Sequence, residues 1–169
     1  KVRKALGKKA PEAASYFLTT LFPAAELAIL DYNRVVKDLN GQDAEELISY
    51  LHDDFDVTTM GTEPYKPEQL HDFGMYMNKK WYKLTAREDS YSEDPIGVLD
   101  VTILSQNVLA KLLGIKDQRT DKRIDFVGGI RGLGELEKRV NSGEMAVAFS
   151  LYPVSIQQLF DIADTGEVM

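Results

Sequence analysis

Apolar and polar positions change their spacing several times along the chain, and each change predicts an element. "YFLTTLFP" (16 to 23) and "ELAILDYNRVV" (26 to 36) are rich in aromatic and β-branched residues and are separated by Pro23 and two alanines, which predicts a hairpin. In "DAEELISYLHDDF" (43 to 55), Leu47, Ile48, Leu51 and Phe55 fall three and four apart, on one face of a helix. Asp43 with Glu46 three residues later predicts a capping box at its start. "DVTTM" (56 to 60) reads as a strand, and "KPEQLHDF" (66 to 73) as a short helix with Pro67 in its first turn. "GMYMNKKWYKLTAR" predicts two strands about a turn at Asn78, Lys79 and Lys80, followed by the polar surface loop "EDSYSEDP" (88 to 95).

Beyond residue 98 the period becomes helical and stays apolar. "LDVTILSQNVLAKLLG" (99 to 114) predicts the longest helix, with Asp100 as N-cap, Gly114 just past its end, and apolar residues on most of its surface, as a core helix has. The charged connector "KDQRTDKR" (116 to 123) leads to a strand, "IDFV", a glycine-rich corner, and a helix from about 131 to 141 ended by Gly143. "MAVAFSLY" (145 to 152) is nearly continuous in apolar residues, as expected of a central strand covered on both faces. Pro153 and Ser155 open a last helix, "SIQQLFDIADTG". The order predicts an α+β fold: a mixed β-sheet, hairpins in the first half, and an α/β-like second half packed by helices.

Composition narrows the class. The chain has 169 residues, of which 44% are hydrophobic, enough for one core and one domain. It has no cysteine, which excludes disulfides and thiolate catalysis and agrees with a cytoplasmic location. No apolar run reaches the length needed to cross a bilayer, so no membrane partner is expected. The net charge is −7, yet Lys1, Arg3, Lys4, Lys8 and Lys9 are all positive, leaving −12 on the rest. An acidic body repels a phosphate backbone, so no nucleic-acid partner is expected either. "KVRKALGKK" resembles the back half of a helix, and "DIADTGEVM" stops shortly after a capping glycine. Residues 1–169 are therefore expected to be a single domain cut from a longer protein, with the missing N-terminal half as its first partner.

The chemistry-bearing candidates are few. "FVGGIRGLG" places Gly128, Gly129, Gly132 and Gly134 between a strand and a helix, where free N–H groups and the helix dipole can meet an anion, and Arg131 adds a charged fork. Neither the dinucleotide spacing nor a P-loop is present, and the same glycines serve equally to turn the chain. Arg119, Lys122 and Arg123 precede that strand among Asp117, Asp121 and Asp125. Folded over the corner they would complete a pocket for a small phosphorylated metabolite; in a solvated loop they would form surface ion pairs worth little. Asn33 and Arg34 interrupt an apolar strand and form a candidate polar pair at a cleft, or else an exposed face or bend. "HDDFD" (52 to 56) gathers a histidine and three carboxylates, but consecutive residues point apart, and no metal site is expected. Tyr76, Trp81 and Tyr82 are expected to pack across strands.

The run from "LDVTILSQ" to "DTGEVM", with "ILDYNRVVKDLNG" and "YKPEQLHDFGMYMNKKWYKLTA", resembles the C-terminal part of the family called domain of unknown function ten-fifteen (DUF1015), in the branch found in Bacteroides-type bacteria. Members of that family typically carry an Asp-Gly-His-His-Arg motif upstream of such a segment and a Lys-Ser-Thr-rich motif after it. The first resembles the signature of the ParB and sulfiredoxin superfamily, which includes a free-serine kinase. The resemblance implies phosphoryl transfer linked to serine or phosphoserine for the full-length protein, with nucleotide and magnesium as its cofactors; a non-catalytic scaffold or interaction domain is the alternative. Neither motif lies in this sequence, so no catalytic residue is carried onto it, and no cofactor is evident in the chain itself.

Overall fold

The computed structural model describes residues 2–166. Lys1 and residues 167–169 lie outside the described residues, as do the side chains of Val2, Arg3 and Ala25, so the basic start is described only from Lys4. Among the described residues six strands form one sheet: β1 (Tyr32–Val36), β2 (Phe55–Gly61), β3 (Asp72–Met77), β4 (Lys80–Ala86), β5 (Ile124–Gly128) and β6 (Val147–Leu151), in the order β2-β4-β3-β6-β1-β5. Helices α1 (Val2–Leu6), α2 (Ala44–Leu51), α3 (Asp100–Ile103), α4 (Leu133–Asn141) and α5 (Ile156–Thr165) accompany it. The class is α+β, but every strand pair among the described residues is antiparallel, which corrects the mixed sheet. The unit β5-α4-β6 does run strand, helix, strand. Its two strands point the same way without pairing, because β1 lies between them and bonds to both.

That position of β1 also explains the missing first hairpin. Both edges of Tyr32–Val36 are occupied by distant strands, so residues 16–23 have no edge to join, and Phe17 and Leu18 stay exposed. The expected helix at 66–73 is likewise absent. Asp72 and Phe73 are drawn into β3, and His71 before them sits at a φ of 67°, its backbone N–H donating to the Asp100 carboxylate at 2.9 Å.

Alternation along the strands splits the interior into two layers. On one face Phe73, Met75, Phe149, Leu151 and Leu84 pack beneath Leu47 and Leu51 of α2 and Ile103, Leu104 and Val108 of the helix from 100. On the other, Val35, Ala148, Tyr76 and Trp81 meet Leu136 of α4. Each fully buried side chain of this size stabilises the fold by roughly 1.5–3 kcal/mol. Tyr76 and Trp81 are directly opposed cross-strand partners with ring centroids 5.0 Å apart, and the indole N–H donates to Glu137 at 2.7 Å. The Asp43–Glu46 capping box forms as expected, and Ser155 with Gln158 forms a second at α5.

The helix from 99 departs from its expectation twice. Leu99 holds the cap position, because the Asp100 carboxylate is turned to the backbone of His71. After one α-helical turn the chain widens into a π-helix over Leu104–Ala110, with Lys111 N–H bonded back to the Gln106 carbonyl. Asn107 anchors this segment by donating to the Ser90 carbonyl at 2.8 Å, and Ser105 accepts from Gln118 at 2.9 Å.

Candidate functional site: the Arg34 cleft

Asn33 and Arg34 are neighbours on a strand, so their side chains leave opposite faces of the sheet. Asn33 is wholly buried, donates to Asp31 at 2.7 Å and accepts from the Leu151 N–H at 3.1 Å. It fixes backbone. Arg34 points to the face covered by α2 and the helix from 100, and lines a cleft between β1 and that second helix. The structure thus separates the candidate pair and leaves one of its members at a concave surface.

Arg34 is 8% exposed and has no carboxylate within ion-pairing reach among the described residues. Its Nε donates to Gln118 Oε1 at 3.3 Å and its Nη1 to the Tyr32 carbonyl. Nη2 has no acceptor among the described residues. The guanidinium stands 5.2 Å from the Tyr32 ring centroid and 4.9 Å from that of Phe126, and those two rings stack on each other at 5.1 Å. Such contacts orient a cation without neutralising it. Burial pushes the Arg34 pKa down to about 10, with Tyr32 acting in the other direction, so the group is still a cation at neutral pH.

The cleft has two lobes that share Arg34 and Val101. One, of about 300 Å³, is lined by Thr102, Ser105, Gln106 and Gln118 beside Ile96 and Leu99. The other, of about 420 Å³, lies between the end of β6 and α5 and is lined mainly by Ile29, Leu30, Leu151, Pro153, Val154 and Leu159. The π segment supplies Ser105 and Gln106 to the first lobe while Leu104, Val108 and Leu109 of the same segment stay in the core. π-helical turns of this kind recur at functional sites.

Residues 1–102 match the family described as "Protein of unknown function (DUF1015)". The chain belongs to the DUF1015 family. No curated protein and no solved structure matches it. The matched span of this DUF1015 chain holds β1 to β4, and with them Arg34 and Asp100, whereas Gln118, the glycine corner and α5 follow it.

The other candidates of the DUF1015 chain are dispersed. Arg123 precedes β5 and the glycine corner follows it, roughly 20 Å further along an extended chain. Arg123 pairs with Asp121 at 2.8 Å and Asp38 at 3.4 Å, Arg119 with Asp117 at 3.3 Å, and Lys122 is exposed. Arg131 is exposed and approaches Glu135 at 3.9 Å. Within the corner, the N–H of Gly129 donates to the Asp31 carbonyl and that of Gly132 to the Gly129 carbonyl. A Cβ at Gly129 would collide with the Asp31 carboxylate, so the close approach this glycine permits is to a protein acid. Gly132 takes a φ of 69° and opens α4. The charged residues that were expected to fold over the corner are therefore held away from it by their own acidic neighbours and by the length of β5.

The residues of "HDDFD" also go separate ways: Phe55 enters the core, Asp54 pairs with Lys111 at 2.6 Å, Asp56 pairs with Arg87 at 3.1 Å, and His52 is exposed. Ser105, Gln106 and Gln118 were not singled out from the sequence. The one signal that pointed here is the arginine in an apolar strand, and its polar companions come from segments about 70 to 85 residues away.

Proposed function

We propose that the chain binds a small anionic metabolite in the Arg34 cleft and serves as the ligand-holding part of a larger enzyme. The reading is carried by one observation, a buried guanidinium with no carboxylate partner among the described residues. Removing a charge from water costs several kcal/mol, and a structural arginine ordinarily recovers that cost from an acid beside it, as Arg139 does from Asp125 and Glu144. At Arg34 the counter-charge is left for a ligand to bring. The reaction class that the family resemblance suggests, phosphoryl transfer involving serine or phosphoserine, is compatible with this, since either compound presents an α-carboxylate for one guanidinium to hold. The catalytic motif, the nucleotide and magnesium would then belong to the upstream segment that family members carry, and the enzyme would be cytoplasmic.

A scaffold or interaction domain is the second reading. It is favoured by the acid-paired Arg119, Arg123 and Arg131 and by the internally bonded glycine corner. Under it, Arg34 only packs against Tyr32 and Phe126. Thermal unfolding with serine, phosphoserine, acetate and inorganic phosphate, at fixed ionic strength, separates the two. A ligand at a hundred times its Kd stabilises the folded state by about 2.7 kcal/mol, which for a chain of this length raises Tm by roughly 5–10 °C. A rise with at least one of the four is expected in the parent protein and in Arg131→Ala, and is expected to vanish in Arg34→Gln. No rise with any of the four leaves the scaffold reading standing.

A further inference from the structure

The two lobes on either side of Arg34 differ in chemistry, and the difference describes a ligand. We infer that the cleft takes a monocarboxylate with an apolar body, the carboxylate at Arg34 and the body in the lobe beneath α5. This rests on the reading of Arg34 as an anion site and adds to it the class of compound.

Charge sets the head group. Among the described residues Arg34 is the one cationic side chain lining either lobe, and two of its three nitrogens already donate to protein acceptors. A single half-spent guanidinium balances one negative charge. A phosphate dianion would keep its second charge uncompensated in a site largely removed from water, which is costly. The second carboxylate oxygen faces the polar lobe, where the Ser105 hydroxyl, already accepting from Gln118, has its hydrogen to donate.

Shape and polarity set the body. The larger lobe has about 420 Å³ and is walled by Leu30, Val101, Leu151, Val154 and Leu159. Asp31 also borders it, but its carboxylate is engaged by Asn33 and lies against Gly129. At about 30 Å³ for each water-sized group, the space suits roughly a dozen non-hydrogen atoms. Walls of this kind give water few hydrogen bonds and reward apolar surface. Serine has no apolar body to place there.

Calorimetric titration with straight-chain monocarboxylates from acetate to octanoate, with 1-octanol and inorganic phosphate alongside, tests the inference. Burial of each methylene is expected to tighten Kd roughly fourfold until the lobe is full. Arg34→Gln is expected to weaken every carboxylate and leave octanol unchanged. Leu30→Asn, at a position already 56% exposed and so safe for folding, is expected to flatten the dependence on chain length while acetate binding persists. Arg34-dependent binding of acetate and phosphate with no gain along the series would overturn the apolar body and leave the anion site intact. Failure of every anion to bind would remove both. A length dependence that survives Arg34→Gln, or octanol binding as tightly as octanoate, would show an apolar pocket unconnected to the charge and overturn the inference.

Discussion

Asp100 and His71 meet at 3.3 Å, a distance at which a carboxylate and an imidazolium would form an ion pair. Burial opposes both charges. It pushes Asp100 up to about 7, with Asp72 adding to the rise and the bond from the His71 backbone opposing it. It pulls His71 below its usual value, against the attraction of Asp72. One oxygen of Asp100 and Nδ1 of His71 are buried without a hydrogen-bond partner among the described residues, as suits a neutral acid beside a neutral ring stacked on Tyr91. An unfolded aspartate titrates near 4. Between that value and about 7 the folded protein keeps a proton that the unfolded chain has lost. The contribution of Asp100 is therefore greatest below the unfolded value and is lost as pH rises through about 7. His71 acts in the opposite sense, so comparison with Asp100→Asn isolates the aspartate. Urea unfolding at pH 5 and pH 8 is expected to show the parent protein losing on the order of 2–4 kcal/mol more than the variant over that interval. An equal loss in the two proteins would mean that Asp100 ionises freely in the fold.

At the scale of elements, Gly74 in β3 illustrates what holds the second face. A Cβ there would collide with the Ser150 hydroxyl and come within 2.6 Å of the Tyr65 carbonyl oxygen. The chain at Tyr65 crosses the sheet here, and its phenol, with Lys83 and Thr85, surrounds the buried Asp72. Gly74→Ala should destabilise the fold by about 1–3 kcal/mol through overpacking, measured by denaturant unfolding; an unchanged midpoint would mean that the crossing segment yields easily. Elements whose stability is local were legible in the sequence. The start of the helix at Ala44, expected to run to Phe55 but ended at Leu51, the turn at Asn78 and Lys79, and the central position of β6 follow from a capping box, a turn-forming asparagine and a continuous apolar run. Elements decided by remote partners were not. Nothing in "ELAILDYNRVV" says that strands beginning 92 and 115 residues later flank it, and nothing in "LSQNVLA" marks a π-helix, since its anchors Ser90 and Gln118 lie outside it.

For the whole molecule, the consequence of that topology is the cleft. Pairing of β1 with both β5 and β6 brings Phe126 beside Arg34, and the end of β6 carries the chain into α5 to close the larger lobe. The sequence marked Arg34 as unusual for its strand. Its freedom from acidic partners among the described residues could emerge only once the acidic side chains had been distributed in space, where they satisfy Arg119, Arg123 and Arg139 and leave Arg34 without one. Under the proposed reading, a net-acidic chain with a buried, unpaired Arg34 among its described residues would favour a ligand of single negative charge, because its overall field repels larger anions from the rest of the surface. The most direct measurement follows the arginine side-chain Nε–H resonances by NMR during titration with acetate and octanoate. The account expects a saturable shift of the Arg34 signal, with those of Arg119, Arg123 and Arg131 unmoved. A shift at Arg131, or none at Arg34, would contradict it.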